Sequence, residues 1–334
     1  MSQQPKSRNA PCGVGRWHLF GIACMLIGLL AGCATLDEKQ RAWIFQPSDR
    51  SWAGGEAAAV GMEDVWIDVK KPEAPARLAG YVDSSASERL HGLWLPFNRT
   101  DKDEGSAPIL LYLHGARFNV TGSAPRMRRM QELGFSVLAI DYRGFGKSSA
   151  ALPSETSAYE DALAAWQWLA HNHPQSKRYI FGHSLGGSIA IDLANRVKDE
   201  KGVIVESTFT SIADVVGSSS QWGWLPVSLL LTQRFEAVAK VALIGSPLLV
   251  VHGTEDRLIL PSLGRKLFDA ANAPKHFLLV QGASHHNTNL VGQAQYRQAL
   301  SDLFGLNPIA TSQNPAVELK SIAAEKRIDV SSKI

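Results

Sequence analysis

The sequence predicts an α/β fold: a mostly parallel, eight-stranded sheet with helices on both faces and a small helical lid insertion. Two observations predict it. From Val65 to about Leu303, short apolar runs closed by Gly, His, Asp or Pro alternate with longer helical stretches, and that alternation requires parallel strands joined by crossover helices that cover both sheet faces. The 334 residues are 45% hydrophobic and 19% charged, which supplies ample core and excludes a disordered chain.

Taken in chain order, the first segment is a leader. Lys6, Arg8 and Arg16 precede an apolar stretch from Trp17 to Leu30 that ends in small residues, the pattern of a secretory signal; an uncleaved signal anchor is the alternative, because the apolar run is close to the shortest spanning length. Residues 33–60 mix Ala, Gly, Gln and Ser with Trp43, Phe45 and Trp52 and read as a tether that docks on a domain spanning 61–305. Strands are expected at Val65–Val69, Gly92–Leu95, Ile109–Leu113, Ser136–Ile140, Tyr179–Phe181, Val203–Val205, Leu248–Val251 and Phe277–Val280. Helices are expected near Pro125–Leu133, Ala158–His171, Leu185–Val197, Pro261–Ala271 and Val291–Leu303, with Ser157 and Glu160 as a capping box. Residues 207–246 are longer than a simple crossover. Their Trp222, Trp224, Leu225, Pro226, Leu229, Leu230, Leu231 and Phe235 suit a lid over the carboxyl ends of the strands, or an apolar surface that packs the insertion onto the body. Residues 306–334 form a Ser-, Ala- and Lys-rich tail.

Charge and cysteine usage narrow the function classes. The chain carries 34 Lys and Arg against 31 Asp and Glu, and the excess is the three leader cations, so nothing supports a nucleic-acid partner. Cys12, Cys24 and Cys33 are the only cysteines; they build neither a disulfide framework nor a thiolate metal site. The ten histidines include no HExxH. Gly146-Lys147-Ser148 lacks the first glycine of a phosphate loop, because position 141 is Asp141. No metal and no cofactor is expected.

The sharpest chemical signal is Gly182-His183-Ser184-Leu185-Gly186, which follows an apolar run and opens a helical one. A serine on such a tight strand-to-helix turn stands clear at the sheet edge, beside helix N–H groups that favour developing negative charge. Its base and orienting acid follow in the order this turn demands: Asp256 just beyond the run Leu248–Val251, and His285 just beyond Phe277–Val280. Glu255 and His286 are the neighbouring alternatives for acid and base. Leu185 N–H supplies one oxyanion donor, and Ala116 N–H, in the loop after Ile109–Leu113, supplies the second. His114 reads as a structural hydrogen-bonding residue, and Asp141 with Arg143 as a turn-stabilising ion pair. Arg117 either turns its donor fork into the cleft, favouring an anionic substrate, or stays paired or solvated on the surface.

The ordered set LHG (113–115), DYRGFGKS (141–148), GHSLGG (182–187), VHGTED (251–256) and GASHH (282–286) resembles the α/β-hydrolase superfamily, in particular its single-domain serine esterases, thioesterases and peptidases. The likeness spans about residues 90–305. Relatives often carry Asn-Ala or Asn-Gly where Ala116-Arg117 stands, and GxGHxD or GxGHxN at the histidine loop. Separately, Leu30-Ala31-Gly32-Cys33 resembles the lipobox of bacterial lipoproteins. That resemblance implies cleavage before Cys33, acylation of Cys33 and, with Ala34 following, the outer membrane facing the periplasm. The combined expectation is an exported, lipid-anchored serine hydrolase acting on the ester or thioester of a small-molecule or lipid-like acyl substrate. A peptidase or amidase with the same triad, or a non-catalytic envelope-binding lipoprotein, are its rivals, and the oligomeric state is left open.

Overall fold

A computed structural model describes residues 32–48, 50, 54–69, 87–97, 107–218, 228 and 230–306. The leader, Trp52, Trp222, Trp224, Leu225, Pro226, Leu229 and the tail from Asn307 lie outside the described residues.

Eight strands form one sheet: β1 (Glu63–Val69), β2 (Glu88–Leu95), β3 (Ile109–Leu113), β4 (Ser136–Ile140), β5 (Arg178–His183), β6 (Val203–Glu206), β7 (Leu248–Gly253) and β8 (Lys275–Val280), in spatial order β1-β2-β4-β3-β5-β6-β7-β8. Only β2 runs against its neighbours, pairing antiparallel with β1 and β4, while β4, β3 and β5 to β8 are parallel. Strands β3 to β7 are buried at every residue, which is why they read as unbroken apolar runs rather than alternating ones. The helices are α1 (residues 32–45), α2 (Gly55–Ala59), α3 (Ala124–Glu132), α4 (Glu155–Asn172), α5 (Leu185–Arg196), α6 (Ile212–Gly217), α7 (Ala237–Val241), α8 (Pro261–Ala270), α9 (Thr288–Val291) and α10 (Gln293–Phe304).

Two cores result, one on each sheet face. Trp166 of α4, Ile189 and Leu193 of α5 and Leu267 of α8 fill one; Met127 and Met130 of α3 with Tyr296 and Leu300 of α10 fill the other. Each fully buried side chain of this size stabilises by roughly 1.5–3 kcal/mol relative to exposure, so covering both faces is what holds the parallel strands together.

The structure corrects two expectations, on the α4 cap and on Arg143, and adds detail to two others. The stretch read as a tether contains α1, whose Ile44 and Phe45 enter the core, with Phe45 packed edge-on against Phe145 and Phe235. The cap of α4 is Ser154, not Ser157: Ser154 sits in extended backbone and its hydroxyl accepts from Ser157 N–H, while Ser157 Oγ receives the Ser154 N–H in return. Arg143 does not pair with Asp141. It bridges Asp161, Glu160 and Glu88, while Asp141 accepts from Val120 N–H. The helix expected at Val291–Leu303 is α10, and a short α9 stands ahead of it, parted from it at Gly292, where an added Cβ would stand 2.8 Å from Val280 Cγ2.

Candidate active site

Ser184 sits between β5 and α5 with φ 55° and ψ −121°, a conformation non-glycine residues adopt only where the surroundings over-determine it. Those surroundings are glycine-lined. A Cβ on Gly182 would stand 2.2 Å from Gly186 O, and one on Gly186 2.1 Å from Leu113 O, so only hydrogen at both positions lets α5 start against β3 and β5 and push the hydroxyl out of the sheet edge.

The loops after β7 and β8 meet that hydroxyl. His285 Nε2 lies 3.1 Å from Ser184 Oγ, and His285 Nδ1 lies 2.8 Å from Asp256 Oδ2. The other oxygen of Asp256 accepts Leu258 N–H at 3.0 Å and Ile259 N–H at 2.9 Å. Burial alone would push this carboxyl up; the hydrogen bonds from His252 and His285 outweigh it and hold the group well below the usual carboxylate range. The neighbouring alternatives are placed differently: Glu255 is exposed, and His286 is exposed with its ring edge-on to His285.

Opposite Ser184 lies the loop after β3. Gly115 passes so close that a Cβ there would stand 3.1 Å from Ser184 Cβ. Ala116 and Leu185 both line the cleft, and neither backbone N–H has an acceptor among the described residues; Leu185 opens α5, where the first N–H groups have no intrahelical partner. His114 is buried and its Nδ1 lies 2.7 Å from Gly115 O. Desolvation lowers its pKa, so it stands as a neutral structural ring. Arg117 and Phe118, the next two residues, both have positive φ, 70° and 60°. This strain is held from α1: Arg117 N–H donates to Phe45 O at 2.8 Å, Phe118 bridges Pro47, and Arg117 Nε donates to Gln46 Oε1 at 3.1 Å.

Behind His285 stands a group that the sequence analysis did not single out. Arg126 Nε pairs with Glu206 Oε1 at 3.2 Å, and its Nη2 donates to His286 O at 2.6 Å. Glu206 is fully buried and also accepts from Tyr296 Oη. His183 Nε2 donates to His285 O at 3.0 Å, and burial followed by the Arg126 charge pushes the His183 pKa well down. The base is therefore backed by a fixed, neutral ring and a paired guanidinium.

Ser184, His285, His183, Arg126 and the loop after β3 line a cleft of about 270 Å³. Trp43 and Ile44 of α1, Phe209, Ile212, Val215 and Val216 of the insertion, and Leu258 with Ile259 make its apolar wall, while Arg117, Arg126 and the histidines make the polar one. The described part of the insertion thus reaches the cleft through α6. Among the described residues, no group of three or more His, Cys, Asp or Glu side chains is placed to share a metal ion.

Known proteins with this arrangement bear on its identity. The family described as serine aminopeptidase, S33, matches residues 106–235. An uncharacterized protein of Mycobacterium tuberculosis is 31% identical over 219 residues, 65% of this chain and 75% of that protein. The uncharacterized protein YfhR of Escherichia coli K12 is 31% identical over 231 residues, 66% and 78% respectively. The lysophosphatidylserine lipase ABHD12 of Danio rerio is 31% identical over 208 residues, 55% of this chain and about half, 54%, of the lipase. Among solved structures, the Pyrococcus furiosus esterase Pf2001 superposes with a TM-score of 0.57 at 20% identity, covering 78% of this chain and 99% of the esterase, a likeness of fold alone. With relatives of this identity and coverage, and the sheet order and strand-end loops described above, the chain belongs to the α/β-hydrolase superfamily.

Proposed function

We propose that this chain is a serine hydrolase that cleaves a carboxylic ester or thioester of a small-molecule or lipid-like acyl substrate through an acyl-enzyme on Ser184. The observation that carries the reading is the continuous relay from Ser184 Oγ through both nitrogens of His285 to Asp256. Ser184 Oγ adds to the carbonyl carbon while its proton passes to His285 Nε2, and the carbonyl electron pair moves onto oxygen. That oxyanion lies against the N–H groups of Ala116 and Leu185, each worth roughly 2.7–4 kcal/mol of barrier. Collapse expels the alcohol or thiol, which takes the proton from His285, and water repeats the sequence on the acyl-enzyme. Asp256 holds the imidazole tautomer and stabilises the imidazolium.

The family description favours a second reading, an aminopeptidase. Chemistry of the cleft argues against it: the described lining holds exposed Arg117 and no Asp or Glu, and Arg126 is paired with Glu206 behind it, so a peptide's ammonium terminus meets one like charge and no carboxylate among the described lining residues. A fluorophosphonate probe tests the proposal. It is expected to label the chain and to leave Ser184→Ala unlabelled; equal labelling of both would remove Ser184 as nucleophile.

The export reading belongs to the same proposal: Cys33 is acylated after cleavage of the leader and anchors the enzyme to the outer membrane on its periplasmic side. Stable anchoring takes more than one chain at roughly 0.8 kcal/mol per buried methylene. Cys33→Ser is expected to block processing; a cleaved variant retained in membranes would contradict it.

A further inference from the structure

We propose that the rim of the catalytic cleft seats directly on a phospholipid surface, with α1 lying flat on the bilayer and the acyl substrate entering from the membrane side. The inference rests on the hydrolase proposal for its activity readout and on the Cys33 anchor for its argument from reach.

Three observations carry it. The first is the face of α1. At 100° and 1.5 Å per residue, Cys33, Leu36 and Trp43 fall within an arc of about 80°, in which polar Gln40 ties to Leu230 and Thr232, while the adjoining arc holds the body. Ile44 and Phe45 are buried there, Arg41 Nε donates to Pro153 O at 3.0 Å, and Gln233 Nε2 donates to Asp37 Oδ1 at 2.9 Å. The outer face therefore begins at exposed Cys33, immediately after the apolar leader stretch Trp17 to Leu30, and ends at the cleft wall.

The second is what surrounds the opening. Trp43 is 60% exposed and Leu258 59% exposed, although both line the cleft. Leu260, two residues beyond Leu258, is 41% exposed, and Leu36 is 40% exposed. Leu230, 61% exposed, is tied to α1 because Gln40 Nε2 donates to its carbonyl at 2.7 Å. Large apolar side chains exposed at an opening, as Trp43 and Leu258 are, with Leu36 and Leu260 close to them in the chain, mark a surface meant to be covered, and a tryptophan with one edge apolar and one polar suits the bilayer boundary.

The third is reach. Ten helical residues separate Cys33 from Trp43, about 15 Å, with no flexible segment between them. A helix whose apolar face sinks roughly 5–10 Å into the headgroup region brings Trp43 and the cleft mouth down with it. Charge does not decide the occupant. Beside the rim, exposed Lys39, Arg117 and Arg257 outnumber exposed Glu255, so anionic headgroups assist, while the apolar side chains are expected to hold the seat at high salt.

The test uses the full chain in vesicles of phosphatidylethanolamine and phosphatidylglycerol. Brominated acyl chains are expected to quench its tryptophan emission, and Trp43→Phe is expected to remove most of that quenching, at low and high salt alike. Quenching that is unchanged in Trp43→Phe, or absent throughout, overturns the proposal and leaves the rim to a protein partner. The activity arm uses Leu36→Gln with Leu260→Gln, which lie outside the cleft lining. Hydrolysis of a long-chain ester carried in those vesicles is expected to fall about ten-fold, the equivalent of part of one leucine's burial, with kcat/KM for a soluble butyrate ester unchanged. Equal loss on both substrates, or loss on neither, overturns it. Absence of hydrolysis in the unmodified chain would sink the hydrolase proposal instead, while the quenching still decides the membrane seat.

Discussion

Ser184→Ala and His285→Ala are each expected to lower turnover of a short-chain ester by a factor on the order of 10⁴–10⁶, with the double variant no slower than either single one. The reason is the shared relay: His285 Nε2 and Ser184 Oγ are 3.1 Å apart, so a base without its nucleophile, or the reverse, has no step left to perform. Asp256→Asn is expected to cost less, about 10⁴. It keeps a side chain of the same shape for the N–H groups of Leu258 and Ile259 but offers His285 Nδ1 an amide instead of a charge. His286→Ala is the control, because that ring is exposed and stands edge-on to His285, outside the relay from Ser184 to Asp256; its turnover is expected to stay within a few-fold of the unmodified chain. Steady-state rates measured alongside circular dichroism separate chemistry from folding. A folded His285→Ala with near-normal rate, set against a loss in His286→Ala, would move the base to His286.

The strand-end loops were legible in the sequence because their constraints are local. Gly182, Gly186 and Ser184 write a backbone geometry into consecutive residues, and the runs ending at Asp256 and before His285 give the sheet edge on which they meet. Strand β2 starts four residues before Gly92, where the sequence points to its beginning, since polar Glu88, Arg89 and His91 break its apolar run while pairing with β1 still extends it. Helix α1 escaped for a tertiary reason. Its apolar residues Ile44 and Phe45 are adjacent rather than spaced at helical period, and they become a buried face only once Phe145, Phe235 and the Arg117 loop close on them. Arg143 was assigned its chain neighbour Asp141 as partner; its guanidinium reaches Glu88 of β2 and Asp161 of α4 instead, contacts that no local spacing encodes. The Arg126–Glu206 pair was missed on the same ground, because its partners are 80 positions apart and neither stands in a motif.

That pair carries a large expected stability effect outside the relay. Glu206 ends β6 with no exposed surface, and its carboxyl oxygens are met by Arg126 Nε and Tyr296 Oη. Arg126→Met removes the counter-charge while keeping the aliphatic bulk, so it strands the acid in a site that solvent does not reach. Breaking one side of a buried pair in this way costs about 3–5 kcal/mol, and at roughly 2–4 °C per kcal/mol for a domain of this size the melting temperature is expected to fall by about 6–20 °C. The double variant Arg126→Met with Glu206→Gln is expected to recover much of that loss, because the neutral amide fits the same space and keeps an oxygen for Tyr296. Activity separates the second role of Arg126. Its Nη2 hydrogen bond to His286 O fixes the loop that carries His285, and the double variant does not restore that bond. Recovered stability with kcat still depressed and KM little changed is therefore the expected signature, read by thermal melts and steady-state kinetics on both variants. If Arg126→Met melts within about 1 kcal/mol of the unmodified chain, the buried pair is not what holds the end of β6. If the double variant recovers kcat in full, Arg126 acts on the His285 loop only through the stability of the fold.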